Sequence, residues 1–464
     1  MMKDIKDSRK NSLIKSKKDI TNFKNTKKKS LEGVIDSFCE FDNNVQSKKD
    51  DNLNKEYDDQ NHNIIRKNSL HFFDLLTYNL EIQDMLQRMI AISVSLDNDR
   101  IYDNKDIYQE YYFSPLPWKN INPNFYKEKS PFVKYTNNNL PKWLDIKNNK
   151  IFNDIEFKVL SYSPFVFHHL RLLDKFSIDD ILKSLDAKKN LQMVHESKEI
   201  LKRGGNSSMI LSRDKKLIIK TINKNEKDNF INKMLEEYHY RMRDTKSILS
   251  HVYGVYKIKI GNKESYALLQ RNMNDLFLKS NILTFDLNGE ISADRQNIKP
   301  EDKNLKQSFL FKKYKYIVLK DIDLSITKIE IELNPYDGKN ILLSICNDSI
   351  FLQKYNVVDY SLLIFVNKYN KKNFEKHLGN PRIMPDYNKK YIFNFSIVDY
   401  LDTYNLEKKS SKLVNDLVGS VLKVSLDKNF STEDPQIYGI NFRKFAKKII
   451  IYEKEDNDNG NFSS

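Results

Sequence analysis

The chain has 464 residues, 39% of them hydrophobic, enough for one large domain with appendages or for two domains. Its longest apolar stretches, such as Met89 to Leu96, fall well short of the roughly 20 residues of a spanning helix, and two cysteines, Cys39 and Cys346, argue against a disulfide framework and a cysteine-built zinc site, so a soluble cytosolic or nuclear protein is expected. The net charge of +15 attracts polyanions, whether nucleic acid, nucleotides or an anionic membrane face, but no zinc-finger, basic-zipper or RNA-binding spacing accompanies it, which leaves nucleic acid without a motif.

Residues 1–65 are rich in Lys, Asn, Asp and Ser and poor in branched and aromatic residues, a composition that cannot bury enough surface to fold alone. They read as a disordered tail, whose basic run from Lys3 to Lys29 is either simply solvated or an arm for a membrane or nucleic acid. Phe72, Leu76, Leu80, Ile82, Met85, Leu86, Met89 and Ile90 recur at helical spacing and predict one or two helices, packed on the protein's own core or against a partner. Residues 97–150, rich in Asn, Asp, Lys and Pro, predict irregular connection, so 66–156 form an extension.

Beyond Phe157 the apolar spacing tightens. Phe165, Val166, His169, Leu170, Leu173 and Phe176 predict a helix, and Ile181, Leu182 and Leu185 a second one capped by Ser177 and Asp179. His168 and His169 lack an acid or cysteine at metal spacing and read as ordinary helix residues. From Lys202 to Ile222 a flexible turn of Gly204, Gly205, Asn206, Ser207 and Ser208 leads into a hairpin. Ile218, Lys220 and Ile222 share one face of its second strand, which places Lys220 on the inner side, where an ammonium needs an anionic partner such as a nucleotide phosphate. Small residues in the preceding turn let backbone N–H groups approach phosphate oxygens, although most glycine turns only turn. Phe230, Ile231, Met234, Leu235 and Tyr238 then form a helical stripe, and Val252 to Ile260 with Glu264 to Gln270 form a second hairpin. A hairpin, a helix and a hairpin make the shape of a kinase-type nucleotide lobe.

A second lobe is announced by two acids at strand ends. Ser361 to Val366 is apolar on both faces and too short to span a membrane, so it predicts a core strand with Asp359 at its mouth. In Tyr391 to Asp399, Phe393, Phe395 and Ile397 share one face of a strand, and Asp399 ends that face. A carboxylate in such a place either caps the strand or answers a metal, a cation or a substrate hydroxyl.

Seven motifs in order, from about Phe157 to Phe445, resemble the phosphatidylinositol phosphate kinases. They are FKVLSYSPFVFHHLRLLDKFSID (157–179), LIIKT (217–221), FDLNG (285–289), VLKDIDL (318–324), VVDYSLL (357–363), IVDYLDTYNLEKK (397–409) and STEDPQIYGINF (431–442). The resemblance implies an α+β, kinase-like two-lobed fold with antiparallel sheets and flanking helices over 157–450, followed by a disordered tail at 451–464. It implies ATP and Mg2+ as cofactors, a phosphatidylinositol monophosphate in an anionic membrane as substrate, a peripheral position at the cytoplasmic face of membranes, and a homodimer through the helix near 72–95. By the same resemblance Lys220 holds ATP phosphates, and Gly204, Gly205, Asn206, Ser207 and Asp286 complete the cofactor-binding set. Asp359 takes the place of the catalytic acid and orients the inositol hydroxyl, and Asp399 holds magnesium. The loop carrying Lys408, Lys409, Ser411 and Lys412 corresponds to the family's lipid-contacting loop.

The chain departs from the family pattern in three places. Asn288 and Glu290 stand where the Asp-Leu-Lys-Gly-Ser turn has lysine and serine. Ser411 stands where subfamilies differ by glutamate or alanine, and the turn before Lys220 has Gly204-Gly205 rather than Gly-Ser-Gly. The implied activity is a kinase making phosphatidylinositol 4,5-bisphosphate. Its alternatives are 5-phosphate 4-kinase or 3-phosphate 5-kinase activity, or a catalytically weak phosphoinositide-binding scaffold.

Overall fold

The computed structural model describes residues 80–103, 124–131, 133–134, 157–186, 209–212, 214–244, 246–260, 263–274, 282–290, 295–315, 317–404 and 433–452, all within one compact unit, Leu70–Ser464. The expected tail at 1–65 lies outside them. The first elements are α1 (Leu80–Asp103), α2 (Asn124–Lys127), β1 (Val133–Lys134), β2 (Phe157–Tyr162), α3 (Pro164–Leu173) and α4 (Ile178–Ser184). Next come β3 (Met209–Leu211), β4 (Leu217–Ile222), α5 (Lys224–Asn229), a π-helical stretch (Phe230–Met234), α6 (Leu235–Asp244), β5 (Val252–Ile260) and β6 (Lys263–Arg271). The six strands form one sheet in the order β1-β2-β5-β6-β4-β3, antiparallel throughout.

Both faces of this sheet are covered, and by different things. Leu217, Ile219, Ile258 and Leu269 pack with Leu86, Met89, Ile90 and Val94 of α1, whereas Ile222, Val255 and Leu268 join Phe165, Phe230 and Tyr238 in the larger core. Helix α1 is thus a structural part of the same body, and it extends the expected helix to Asp103 where irregular chain was predicted. The reason lies in charged partners for its last turns. Ser161 Oγ donates to the Asp97 carboxylate, and Arg100 Nη2 reaches Glu128 at 3.0 Å. The cap of α4 also differs from expectation, since Ser177 forms a capping box with Asp180 rather than Asp179.

The second half begins with β7 (Leu283–Leu287), α7 (Gln307–Lys313), β8 (Val318–Leu319), α8 (Asp321–Thr327), β9 (Ile331–Leu333) and α9 (Pro335–Lys354). It continues with β10 (Ser361–Lys368), α10 (Lys371–Glu375), β11 (Ile383–Pro385), β12 (Tyr391–Val398), α11 (Pro435–Ile449) and β13 (Ile450–Tyr452). Five strands form a sheet in the order β11-β12-β10-β7-β8. The α+β class and the two lobes agree with the sequence reading, but the sheets are not wholly antiparallel, because β7–β8 and β9–β13 pair in parallel. The β9–β13 pairing also shortens the expected disordered tail, as Ile451 and Tyr452 are strand residues.

The segment that joins α6 to β5, 246–251, is strapped down from several sides. Ile248 N donates to the buried Asp348 carboxylate at 2.7 Å, and Ser247 Oγ and Arg241 Nη1 reach the same group. Arg382, itself buried, donates to the carbonyls of Ile248 and Leu249 at 2.9 and 2.8 Å. Ile397 of β12 exchanges backbone bonds with Ile248 and Ser250, so the second sheet is stitched directly to this segment of the first half. These hydrogen bonds join the two sheets across the α6–β5 segment.

Burial pushes the Asp97 carboxyl up to about 6, against the opposing hydrogen bond from Ser161 and the charge of Arg100. The folded protein then binds more protons than the unfolded chain between the ordinary carboxylate range and pH 6, so this group's contribution to stability falls as pH rises through that window. Asp97→Asn removes the titration. Its stability relative to the unmodified chain should rise by up to ~3 kcal/mol from about pH 4 to about pH 7, measured as paired denaturant midpoints. A difference that stays flat with pH refutes the assignment.

Candidate functional site

Pairing between β10 and β12 sets Ser361 opposite Val398, so Asp359, just before one strand, and Asp399, just after the other, leave the sheet at the same edge. Strand β7 pairs on the other side of β10, with Leu362 opposite Leu287, which carries the Asn288-Gly289-Glu290 turn to that edge as well. Three sequence motifs separated along the chain thus converge because antiparallel neighbours share ends.

Both acids have left-handed backbone, φ 63° at Asp359 and φ 60° at Asp399, a conformation that Asp tolerates better than most side chains. The strand of Asp399 therefore ends at Val398, and the alternation expected to carry Asp399 along the face of Phe393 stops one residue early. Each acid is followed by a buried tyrosine that fixes the turn. Tyr360 packs edge-on against Tyr438 and Phe442 of α11 with ring centroids 4.8 Å away in each case, and its hydroxyl is 2.9 Å from Ser349 Oγ. Tyr400 donates to the carbonyl of Ser250 in the segment between α6 and β5, where Tyr238 also donates at 3.0 Å. Tyr360 and Tyr400 were not singled out from the sequence. The repeated Val-Asp-Tyr of 358–360 and 398–400 was the signal for them.

Lys220 meets this edge from the upper lobe. Its Nζ lies 2.6 Å from Asp399 Oδ1. The face holding Ile218, Lys220 and Ile222 is the cleft side of β4, and the fully buried face is that of Leu217, Ile219 and Thr221. Burial alone lowers the Lys220 ammonium, but the Asp399 carboxylate and the hydrogen bond between them, with Glu226 and Asp402 nearby, hold it above its ordinary value. Glu226, the third residue of α5, is pushed up by burial while Lys220 opposes the shift. Neither Glu226 nor Asp402 was picked out from the sequence.

Asp286 meets a lysine of the second half. It is buried on β7, with Oδ2 held 2.6 Å from Lys320 Nζ. Lys320 supplies, from the VLKDIDL motif, a cation beside the turn in which Asn288 replaces the family's lysine. The turn itself is gripped by Asp321, whose Oδ1 accepts from Asn288 N and Gly289 N at 3.1 and 2.9 Å. Arg295 holds the other oxygen of Asp321 through Nε and Nη2 and also donates to the carbonyl of Asp286. Burial raises Asp321 even so. Gly289 has φ 90°, and a Cβ there would approach Phe445 to 3.0 Å, so the glycine is required both by conformation and by space.

Gly204, Gly205, Asn206 and Ser207 lie outside the described residues, as do Lys408, Lys409, Ser411 and Lys412. His168 and His169 are buried, and His169 Nδ1 is 2.8 Å from His239 Nε2, with the Tyr126 hydroxyl 3.1 Å from His239 Nδ1. Burial lowers His239 well below its usual range. Among the described residues no three His, Cys, Asp or Glu side chains are grouped to hold a metal. Magnesium, which keeps several waters and takes one or two carboxylates plus substrate phosphates, needs no such cage. The half-exposed Asp399, with Asp359 at the same edge, fits that kind of ion.

The family model described as Phosphatidylinositol-4-phosphate 5-Kinase matches residues 192–385, a span that contains Lys220, Asp286 and Asp359 but ends before Asp399. Among curated proteins, the chain is 27% identical to Phosphatidylinositol 5-phosphate 4-kinase type-2 gamma of Xenopus tropicalis over 214 residues, 46% of each chain. It is 26% identical to Phosphatidylinositol 4-phosphate 5-kinase its3 of Schizosaccharomyces pombe, over 48% of this chain and 28% of the other. It is 27% identical to Phosphatidylinositol 4-phosphate 5-kinase type-1 alpha of Homo sapiens, over 47% of this chain and 35% of the other. The chain thus spans less than half the length of these relatives, and relatives named for either ring position match it about equally.

Lys320→Met should leave the Asp286 carboxylate buried without its ammonium and lower unfolding stability by about 1–3 kcal/mol. Combining it with Asp286→Asn should recover part of that loss. Strict additivity of the two substitutions in denaturant titrations would show the pair to be uncoupled.

Proposed function

We propose that the chain is a phosphatidylinositol phosphate kinase that transfers the γ-phosphate of MgATP to an inositol-ring hydroxyl of a phosphatidylinositol monophosphate, the 4-phosphate being the first choice and phosphatidylinositol 4,5-bisphosphate the product. The observation that carries the reading is the meeting of Lys220 with Asp399 at the sheet edge that also bears Asp359. Phosphoryl transfer asks mainly for positioning and neutralisation of charge, and this edge offers one cation and two acids on backbone fixed by buried tyrosines.

In this reading Lys220 exchanges Asp399 for nucleotide phosphate oxygens. Asp359 accepts a hydrogen bond from the ring hydroxyl, aims its oxygen at the γ-phosphorus and takes its proton as the new O–P bond forms and the bond from that phosphorus to the bridging oxygen breaks, ADP leaving with the bridging oxygen. Asp399 holds magnesium, which when bound neutralises phosphate charge. The left-handed turns fix the backbone at both acids before substrate arrives, which supports this reading. Lys408, Lys409 and Lys412 give a basic loop for an anionic membrane, each lysine adding on the order of 1 kcal/mol of attraction. A peripheral position at the cytoplasmic face and a homodimer complete the proposal.

The departures at Asn288 and Glu290 favour a second reading, a weak or inactive phosphoinositide-binding scaffold. Lys320, 2.6 Å from Asp286, argues against it by keeping a cation beside that turn. The test is labelled phosphate transfer from MgATP to liposomes that carry each phosphatidylinositol monophosphate separately. Label is expected in the 4-phosphate lipid and should drop by about 100-fold or more in Asp359→Asn. Label in the 5- or 3-phosphate lipid instead would reassign the substrate, and retained liposome binding with no label in any lipid would establish the scaffold. Lys408→Glu with Lys409→Glu should abolish stimulation by liposomes while ATP binding survives, and unchanged lipid turnover would remove the loop from the proposal.

A further inference from the structure

The far end of β10 and β12 has a pocket of its own. Lys368 pairs there with Tyr391, seven residues along β10 from Ser361, so at the usual strand rise the pocket is about 24 Å from the edge that holds the two acids. It has a volume of about 330 Å³ and is lined by Gln307, Ser308, Phe311, Lys368, Tyr369, Lys390 and Tyr391. That volume is at the lower end for small-molecule sites.

The lining is preformed and its polarity has one sign. Gln307 Nε2 is committed to the carbonyls of Thr327 and Lys328 at 3.1 and 3.2 Å, which turns Oε1 toward Tyr391, whose hydroxyl donates to it at 2.6 Å, and toward Lys390 Nζ at 3.1 Å. The Phe311 and Tyr391 rings stack at 12°, giving the pocket a flat apolar wall. Lys390 therefore rests on a neutral amide oxygen, and no carboxylate lines the pocket. The nearest acid along the chain, Asp386, has Oδ1 occupied by the backbone N–H groups of Lys390 and Tyr391. An anion entering here exchanges a neutral acceptor for a charged one at Lys390 and gains Lys368 as well, with no ion pair among the described residues to break.

We propose that this pocket is a second, non-catalytic site for a phosphorylated polyol, an inositol phosphate headgroup either free or carried by lipid. The two ammonium groups take phosphate, Ser308 and Tyr391 offer hydroxyls to the ring hydroxyls, and the aromatic wall takes the apolar face of the ring. A bare anion would use the lysines and leave the wall idle. The site shares no residue with the cleft of Lys220, Asp359 and Asp399, so it stands whether or not the chain transfers phosphate.

The test is backbone hydrogen–deuterium exchange on the full chain, which reports the place of binding and needs no turnover. Inositol 1,4-bisphosphate is expected to slow exchange at 307–313 and 386–391, and Lys368→Gln with Lys390→Gln should remove that protection while exchange in the rest of the chain is unchanged. Protection by phosphatidylcholine vesicles containing phosphatidylinositol 4-phosphate, without protection by the soluble headgroup, supports the site and assigns its ligand to lipid. Equal protection by inorganic phosphate or adenosine monophosphate at the same concentration would overturn the polyol assignment. So would protection that survives the double substitution, or its absence with every probe.

Discussion

The register between β10 and β12 is the constraint from which the candidate site follows. Ser361 opposite Val398 makes the two strands end together, so the residues just outside them, Asp359 and Asp399, are neighbours at one edge of the sheet. Every residue of β12 is buried, which makes a slip of one residue unaffordable to the core as well as to the site. The two acids then leave the strands through left-handed turns, and the tyrosine after each one anchors it to a different part of the fold. Tyr360 ties Asp359 to α9 and α11, while Tyr400 ties Asp399 to the segment between α6 and β5.

Charge in the cleft is balanced by pairs drawn from distant segments. Lys220 of the upper sheet answers Asp399, Lys320 answers Asp286, and Arg295 answers Asp321, so that each of these three acids has a cation. Of these the Lys220–Asp399 pair is the one that joins the lobes and has its acid half-exposed, which makes it the pair a phosphate and a metal can part. The other two act on the Asn288-Gly289-Glu290 turn. The loss of the turn's usual lysine is accompanied here by a cation from the VLKDIDL segment, with Lys320 close enough to the same acid to share its charge.

Much of this was legible in the chain. Apolar spacing marked α3, the β3–β4 and β5–β6 hairpins and the two acid-bearing strands, because burial of one face imposes a period that local sequence must obey. Less was legible where partners are remote. Helix α1 runs past Leu96 because Asp97 and Arg100 find Ser161 and Glu128, which no local pattern announces. The face of Lys220 could be recognised but not its exposure, since both faces of β4 carry apolar residues and only the second lobe decides which of them opens on the cleft.

The sequence by itself determined which residues could do chemistry and which strands carry them, since a lysine or an aspartate within an apolar run is visible without coordinates. It also carried the resemblance to a family, through motifs whose order is a property of the chain. Only the tertiary structure decided that Lys220 meets Asp399, that Lys320 stands beside Asp286, and that a basic aromatic pocket forms at the opposite end of β10. Those are contacts between segments far apart in the chain, fixed by strand register and packing, and residue spacing carries no record of them.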